Sequence, residues 1–266
     1  MGQFDYPGMT SREIPETAAP PIKLNTAWIT RLIGALALFL ILASTAVHLA
    51  AHFSGDYRHA GLMRILSVDV EWNIPSFYSV LLLLFATMLL AVVTVLERKR
   101  ASEHAQHWAV LTCGFLFMAA DELVSLHEKL IFPLRRLLGG EDLGIFFFAW
   151  VIPGIFIVAG LGVFFLRFLF RLPAQTKRAF IVAGFLYVGG VIGIELIAGR
   201  HAEVNGFHNL TYSVWTMIEE SLEMAGIVVF IDALLVYLAV QHREVRFRFK
   251  LGPDAVVQGS DASRMP

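Results

Sequence analysis

Residues Ala109–Leu130 read AVLTCGFLFMAADELVSLHEKL. The first twelve suit hydrocarbon; the last ten carry Asp121, Glu122, His127 and Glu128 within about two helical turns. Preceded by Gln106–Trp108, the segment is long enough to cross a bilayer core, which takes about 20 mostly apolar residues. It therefore reads as a spanning helix, Gln106–Glu128, with an ionisable tip. Five further stretches qualify by the same measure: Trp28–Phe53, Pro75–Leu96, Gly144–Phe168, Arg178–Gly199 and Ser213–His242. Pro75 suits a first helical turn, and Pro153 is expected to kink the fourth span. The fold expected is an all-α polytopic bundle of six transmembrane helices over residues 26–245. Disordered tails are expected at 1–25 and 246–266, both polar and rich in turn-forming residues.

Composition agrees. Of 266 residues 57% are hydrophobic and 16% charged, with a mean hydropathy of +0.66, whereas a soluble domain carries about a quarter charged residues. A net charge of −1 gives no basic surface for nucleic acid. Cys113 is the single cysteine, so neither an intrachain disulfide nor a zinc-type cysteine cluster is available. No basic start followed by an apolar core precedes the first run, and no cleavable signal peptide is expected.

Lys and Arg set the orientation. With both termini on one side, that side holds fifteen Lys and Arg and the other six, namely Arg58, Arg64, Lys129, Arg135, Arg136 and Arg200. Both termini are thus expected in the cytoplasm. His48 and His52, Asp69 and Glu71, the Asp121–Glu128 cluster, Glu195, His201 and His208, and Glu219, Glu220 and Glu223 then all fall toward the outer ends of the spans. At 100° per residue Asp121, Ser125 and Glu128 share a helix face, as do Glu219 and Glu223 with Glu220 at their flank. These residues are expected to meet in one chamber, with Glu71 above it.

An acid at mid-span is disfavoured by about 2.5–3.5 kcal/mol on insertion scales, so such residues point to function. Glu71, Asp121, Glu122, His127, Glu128, Glu219, Glu220 and Glu223 are the candidate ligands of a divalent metal ion. Carboxylates mixed with imidazole suit zinc or iron. The alternative for Asp121, Glu122, Glu219, Glu220 and Glu223 is an interhelical hydrogen-bond network, and for Glu128 a solvated helix end. No Glu-x-x-His pair or His-Glu-x-x-His motif fixes the metal. Three functions follow: a metal-dependent membrane enzyme on lipid-like substrates, a cation or proton transporter, or an accessory subunit with protein partners in the membrane. Haem between His48 and His127 is a weaker fourth. Trp28, Trp108, Trp150 and Trp215 read as interface anchors, His104, His107 and His242 as surface residues, and Asp232 as a bond to a neighbouring helix. Gly189, Gly190 and Gly193 read as a close helix contact.

Three segments, EWNIPSFYSVLLLL (Glu71–Leu84), DELVSLHE (Asp121–Glu128) and EESLEMAG (Glu219–Gly226), together resemble a family of uncharacterised bacterial multi-pass membrane proteins. The resemblance covers Glu71 to Val240. It implies a bacterial inner-membrane location without an activity, and carries over Glu71, Asn73, Pro75, Ser76, Asp121, Glu122, His127, Glu128, Glu219, Glu220 and Glu223. A more distant likeness to zinc-binding membrane hydrolases of the ceramidase and adiponectin-receptor type is one of kind. This chain has one span fewer, and its acids outnumber its histidines.

Overall fold

A computed structural model describes residues 25–54, 60–140 and 142–241. The expected tails lie outside these residues, apart from Asn25. The described chain is helical, in the order α1 (Thr26–Ser54), α2 (Ala60–Leu66), α3 (Ile74–Lys99), α4 (Ala105–Val124), α5 (Leu126–Leu137), α6 (Val151–Arg171), α7 (Ala174–Val188), α8 (Glu195–Asn205) and α9 (Leu210–Gln241). A 3₁₀ turn, Gly144–Phe146, precedes α6, and a π-helical segment, Gly189–Ile194, joins α7 to α8. Six helices are long and apolar enough to cross a membrane: α1, α3, α4, α6, the continuous α7–α8 unit over Ala174–Asn205, and α9. The protein is a multi-pass helical membrane protein.

Two spans form the axis. Half of the most apolar window is buried in α3 and in α9, against 11% in α4, α6 and α7–α8. The outer helices therefore give most of their surface to lipid, as Phe39, Phe156, Val163 and Phe185 do. α9 packs on α1, α3 and α7, and α3 packs on α4. The core between them is made by Leu83, Ala86, Leu90 and Val93 of α3 and by Ile227, Phe230, Ile231 and Leu234 of α9.

Lipid tails are as apolar as leucine, so helices in a bilayer associate through close packing and hydrogen bonds rather than hydrophobic burial. Glycine supplies the packing at two points of the α7–α9 seam. A Cβ on Gly190 would stand 2.9 Å from the Glu219 carbonyl oxygen. One on Gly226 would stand 2.9 Å from both the Ala183 carbonyl oxygen and the Tyr187 nitrogen. Gly189 and Gly193 have open space instead, so of the expected trio Gly190 alone makes the contact. Hydrogen bonds add to the seams: the Thr30 hydroxyl donates to Asp232 (2.8 Å), as expected for that acid, and Thr94 and Thr112 are 3.0 Å apart.

Several sequence readings change. Pro153 is the third residue of α6, where a missing N–H leaves no helix bond unmade, so it opens the span instead of kinking it. Trp108 is buried among Phe168, Phe180 and Tyr237 rather than at an interface. His104 and His107 pack on Phe168, and their Nδ1 atoms are buried. His242 lies outside the described residues.

The α7–α9 seam gives a direct test. Gly226→Ala should destabilise the detergent-solubilised protein by about 1–3 kcal/mol, the range for overpacking. Gly189→Ala should leave the melting temperature unchanged or slightly raised, since alanine is the better helix former. Equal effects at the two positions would contradict this packing.

Candidate functional site

The turn that enters α3 is held by Ser67. Its side chain is buried and lies 2.8 Å from His48 Nε2, and it accepts the Asp69 N–H (3.2 Å). Its carbonyl accepts the Asn73 side-chain amide (2.6 Å), and the Val68 N–H donates to the Ser44 hydroxyl (3.1 Å). Asn73 caps α3 in a reciprocal box: its Oδ1 accepts the Ser76 N–H (3.1 Å) while the Ser76 hydroxyl accepts the Asn73 N–H (3.0 Å). Pro75 sits in the first turn. The Asn-x-Pro-Ser stretch is thus a helix start, and it fixes Asp69 and Glu71 against the end of the bundle.

The third span ends before its expected limit. Ser125 takes a left-handed conformation (φ 49°, ψ 52°) and donates its N–H to the Asp121 carbonyl (2.6 Å). The Asp121 carboxylate then accepts both the backbone N–H (3.0 Å) and ring Nδ1–H (2.7 Å) of His127. An acid that bonds the backbone ahead of it competes with helix continuation and caps the next helix. Asp121, Ser125 and Glu128 therefore do not share one helix face. The break turns α5 away and brings His127 and Glu128 round to the same cavity as Glu122. The Ser125 hydroxyl donates to Glu71, tying this turn to the one before α3.

Across from them, the π-helical segment Gly189–Ile194 leads into Glu195. The extra residue in such a turn re-aims the side chains that follow. Trp150 Nε1 donates to Glu195 Oε1 (2.8 Å), and the Trp150 ring lies 4.7 Å from that of His127. Trp150 thus supports the site instead of anchoring an interface. On α9, Glu219, Glu220 and Glu223 face the same space as Glu195.

The result is a cavity of about 150 Å³ at one end of the bundle. Its walls carry eight carboxyl groups, those of Asp69, Glu71, Glu122, Glu128, Glu195, Glu219, Glu220 and Glu223, with His127, Ser76, Tyr212 and Thr216. Seven of the eight candidate ligands line it. The eighth, Asp121, holds His127 from behind. Among the described residues no Lys or Arg lines the cavity. Lys129 donates to the Val124 carbonyl (2.6 Å), Arg135 lies 4.4 Å over the Phe147 ring, and Arg200 pairs with Glu203 (2.7 Å). These three cations are therefore turned to other partners.

Asp69 and Glu195 are the acids missing from the expected ligand set. Both stood at span ends in the sequence, but nothing in their spacing marked the π turn or the Ser67 clasp that aims them. His48, His52 and His208 are not in this chamber; they line a neighbouring cavity with Asp69. His48 and His127 thus line different cavities. Among the described residues no three His, Cys, Asp or Glu side chains stand as a ready-made metal-ligand set.

Three groups at the mouth show the effect of crowding. Burial and the charge of Glu128 push the Asp69 carboxyl up to about 6. Burial, with Glu71 and Glu195, raises Glu128 as well. Burial opposes protonation of His127, but its bond to Asp121 and the acids around it outweigh this and raise its pKa. All three hold protons more tightly in the folded than in the unfolded chain, so their contribution to stability is lost as pH rises. For Asp69 the loss runs from 3.8 to about 6; for His127 it continues as pH passes its raised value. With a chelator present, the protein should melt at progressively lower temperature from pH 4 to above neutrality, and Asp69→Asn should flatten the acidic part of that curve. A melting temperature that climbs with pH across this window would contradict the crowded mouth.

No curated protein and no solved structure matches the chain. A family model described as "Domain of unknown function (DUF8692)" matches residues 32–238. That match runs from α1 into the last turn of α9 and takes in every wall of the acidic chamber, so the chain belongs to this family.

Proposed function

We propose that the protein binds a divalent metal ion in the acidic chamber and uses it in chemistry on a lipid-like substrate at the outer face of a bacterial inner membrane. The observation that carries this reading is the charge balance of the chamber. Among the described residues eight carboxyl groups share about 150 Å³ with one imidazole and no Lys or Arg. Shared protons would answer part of that crowding. A bound cation answers the rest, and carboxylate with imidazole suits zinc or iron. The Asp121–His127 pair supports the same reading, because a metal-ligating imidazole commonly gives its other N–H to a carboxylate that fixes the ring. Glu71, Glu122, His127, Glu128, Glu219, Glu220 and Glu223 are the proposed donors, drawing inward around the ion. Metal-bound water would supply a nucleophile near neutral pH, and the carboxylates in excess of the ligands would leave one to take its proton.

A transporter built on the same acids needs a polar path through the other half of the bundle. Below the chamber α9 presents Ile227, Phe230, Ile231 and Leu234 to the core, and Asp232 is already bonded to Thr30. This favours a fixed site over an exchange path. The Lys and Arg excess in the loops at the opposite end supports an outward-facing chamber and cytoplasmic termini.

Elemental analysis of protein gently extracted from membranes tests the reading. It should find a stoichiometric divalent metal, and Glu219→Gln should lower occupancy at least about tenfold, the scale for losing one ligand or its support. A folded preparation that is metal-free and refuses added zinc and iron would overturn it.

A further inference from the structure

Beside the acidic chamber lies a second cavity, of about 290 Å³. Its polar wall is unlike the first. Three imidazoles, those of His48 and His52 on α1 and His208 before α9, face it together with Asp69. Among the described residues Asp69 is the one that lines both cavities, and no Lys or Arg among them lines either. The wall between them is built rather than incidental: the Ser67 hydroxyl that accepts the Asp69 N–H also touches His48 Nε2. That single clasp fixes the Asp69 backbone relative to His48. His52 and His208 are exposed and make no side-chain hydrogen bond among the described residues.

We propose that this histidine-lined cavity is the entrance through which a divalent cation of the zinc class reaches the acidic chamber, with Asp69 passing it from imidazole to carboxylate ligands. The proposal rests on the metal reading above. Neutral imidazoles bind borderline cations without repelling a second charge, and one carboxylate among three histidines gives a weak, half-open site. The eight carboxyl groups beyond make the next step downhill for a cation, and walls of one sign draw ions inward and raise their rate of capture. A weak site before a strong one also permits release in the forward direction, which a second tight site would prevent.

Zinc uptake by the metal-stripped full chain in detergent tests the route, with rate and final occupancy measured separately. The double variant His52→Ala/His208→Ala should fill at least about tenfold more slowly, within the range of lost electrostatic and ligand capture, yet reach the occupancy of the unaltered protein. Equal final occupancy also certifies that the variant is folded. Asp69→Asn, which keeps the side-chain shape, should slow filling likewise. An unchanged filling rate in both would overturn the route while leaving the metal reading intact. Lower final occupancy in the histidine variant would overturn it too, by making these residues ligands of the resident ion. Failure of the unaltered protein to take up zinc at all would overturn the metal reading and the route together.

Discussion

Carboxyl groups packed against one another where few cations can reach them are the constraint on which this protein turns. Like charges a few ångströms apart repel strongly once water is displaced. Glu122, Glu195, Glu219, Glu220 and Glu223 all belong to membrane-spanning helices, where the surroundings are apolar. The fold brings them together nonetheless, and it does so with several independent devices. A left-handed residue ends α4, a π turn aims Glu195, a capping box sets the turn before α3, and glycines let α7 and α9 approach. Each device departs from the plain straight helix that lipid alone would favour. Departures of this kind gather at functional sites, where surrounding structure over-determines them.

The two halves of the bundle divide the work. At one end the polar side chains are dense and tied to one another by short hydrogen bonds, among them Asp121 with His127 and Trp150 with Glu195. Beneath them, α3 and α9 close an apolar core that holds their acidic tips and entry turn in register. The rigidity of that core is what allows many acids to be held in one place. A looser bundle would relieve the repulsion by splaying. Glycine at positions 190 and 226 prevents this by bringing the backbones of α7 and α9 within contact distance.

Much of this was legible in the sequence, for reasons that can be named. Runs of apolar residues near 20 long have few readings other than spans, and six of them fixed the architecture. The alternation of span direction then placed the acids of distant segments at the same end, so the meeting of Glu71, Glu122, Glu219, Glu220 and Glu223 followed from topology. What stayed hidden depends on local backbone exceptions. Ser125 is an ordinary serine whose left-handed conformation comes from the bonds Asp121 makes ahead of it. Glu195 enters the chamber because of a π turn with no sequence mark beyond glycines. Trp108 and Trp150 looked like interface anchors because span ends usually carry them, and only packing distinguishes an anchor from a wall.

The chamber's central claim is that its acids feel one another directly, and a double-mutant cycle on Glu195 and Glu219 measures this most plainly. Glu195→Gln, Glu219→Gln and the double variant would be compared by thermal or denaturant unfolding of the metal-stripped protein. Side chains in contact should show an interaction energy of about 0.5–3 kcal/mol, so the double variant should differ from the sum of the single ones by that amount. Additivity to within about 0.3 kcal/mol would mean that the two acids do not meet, and the chamber as described would not exist.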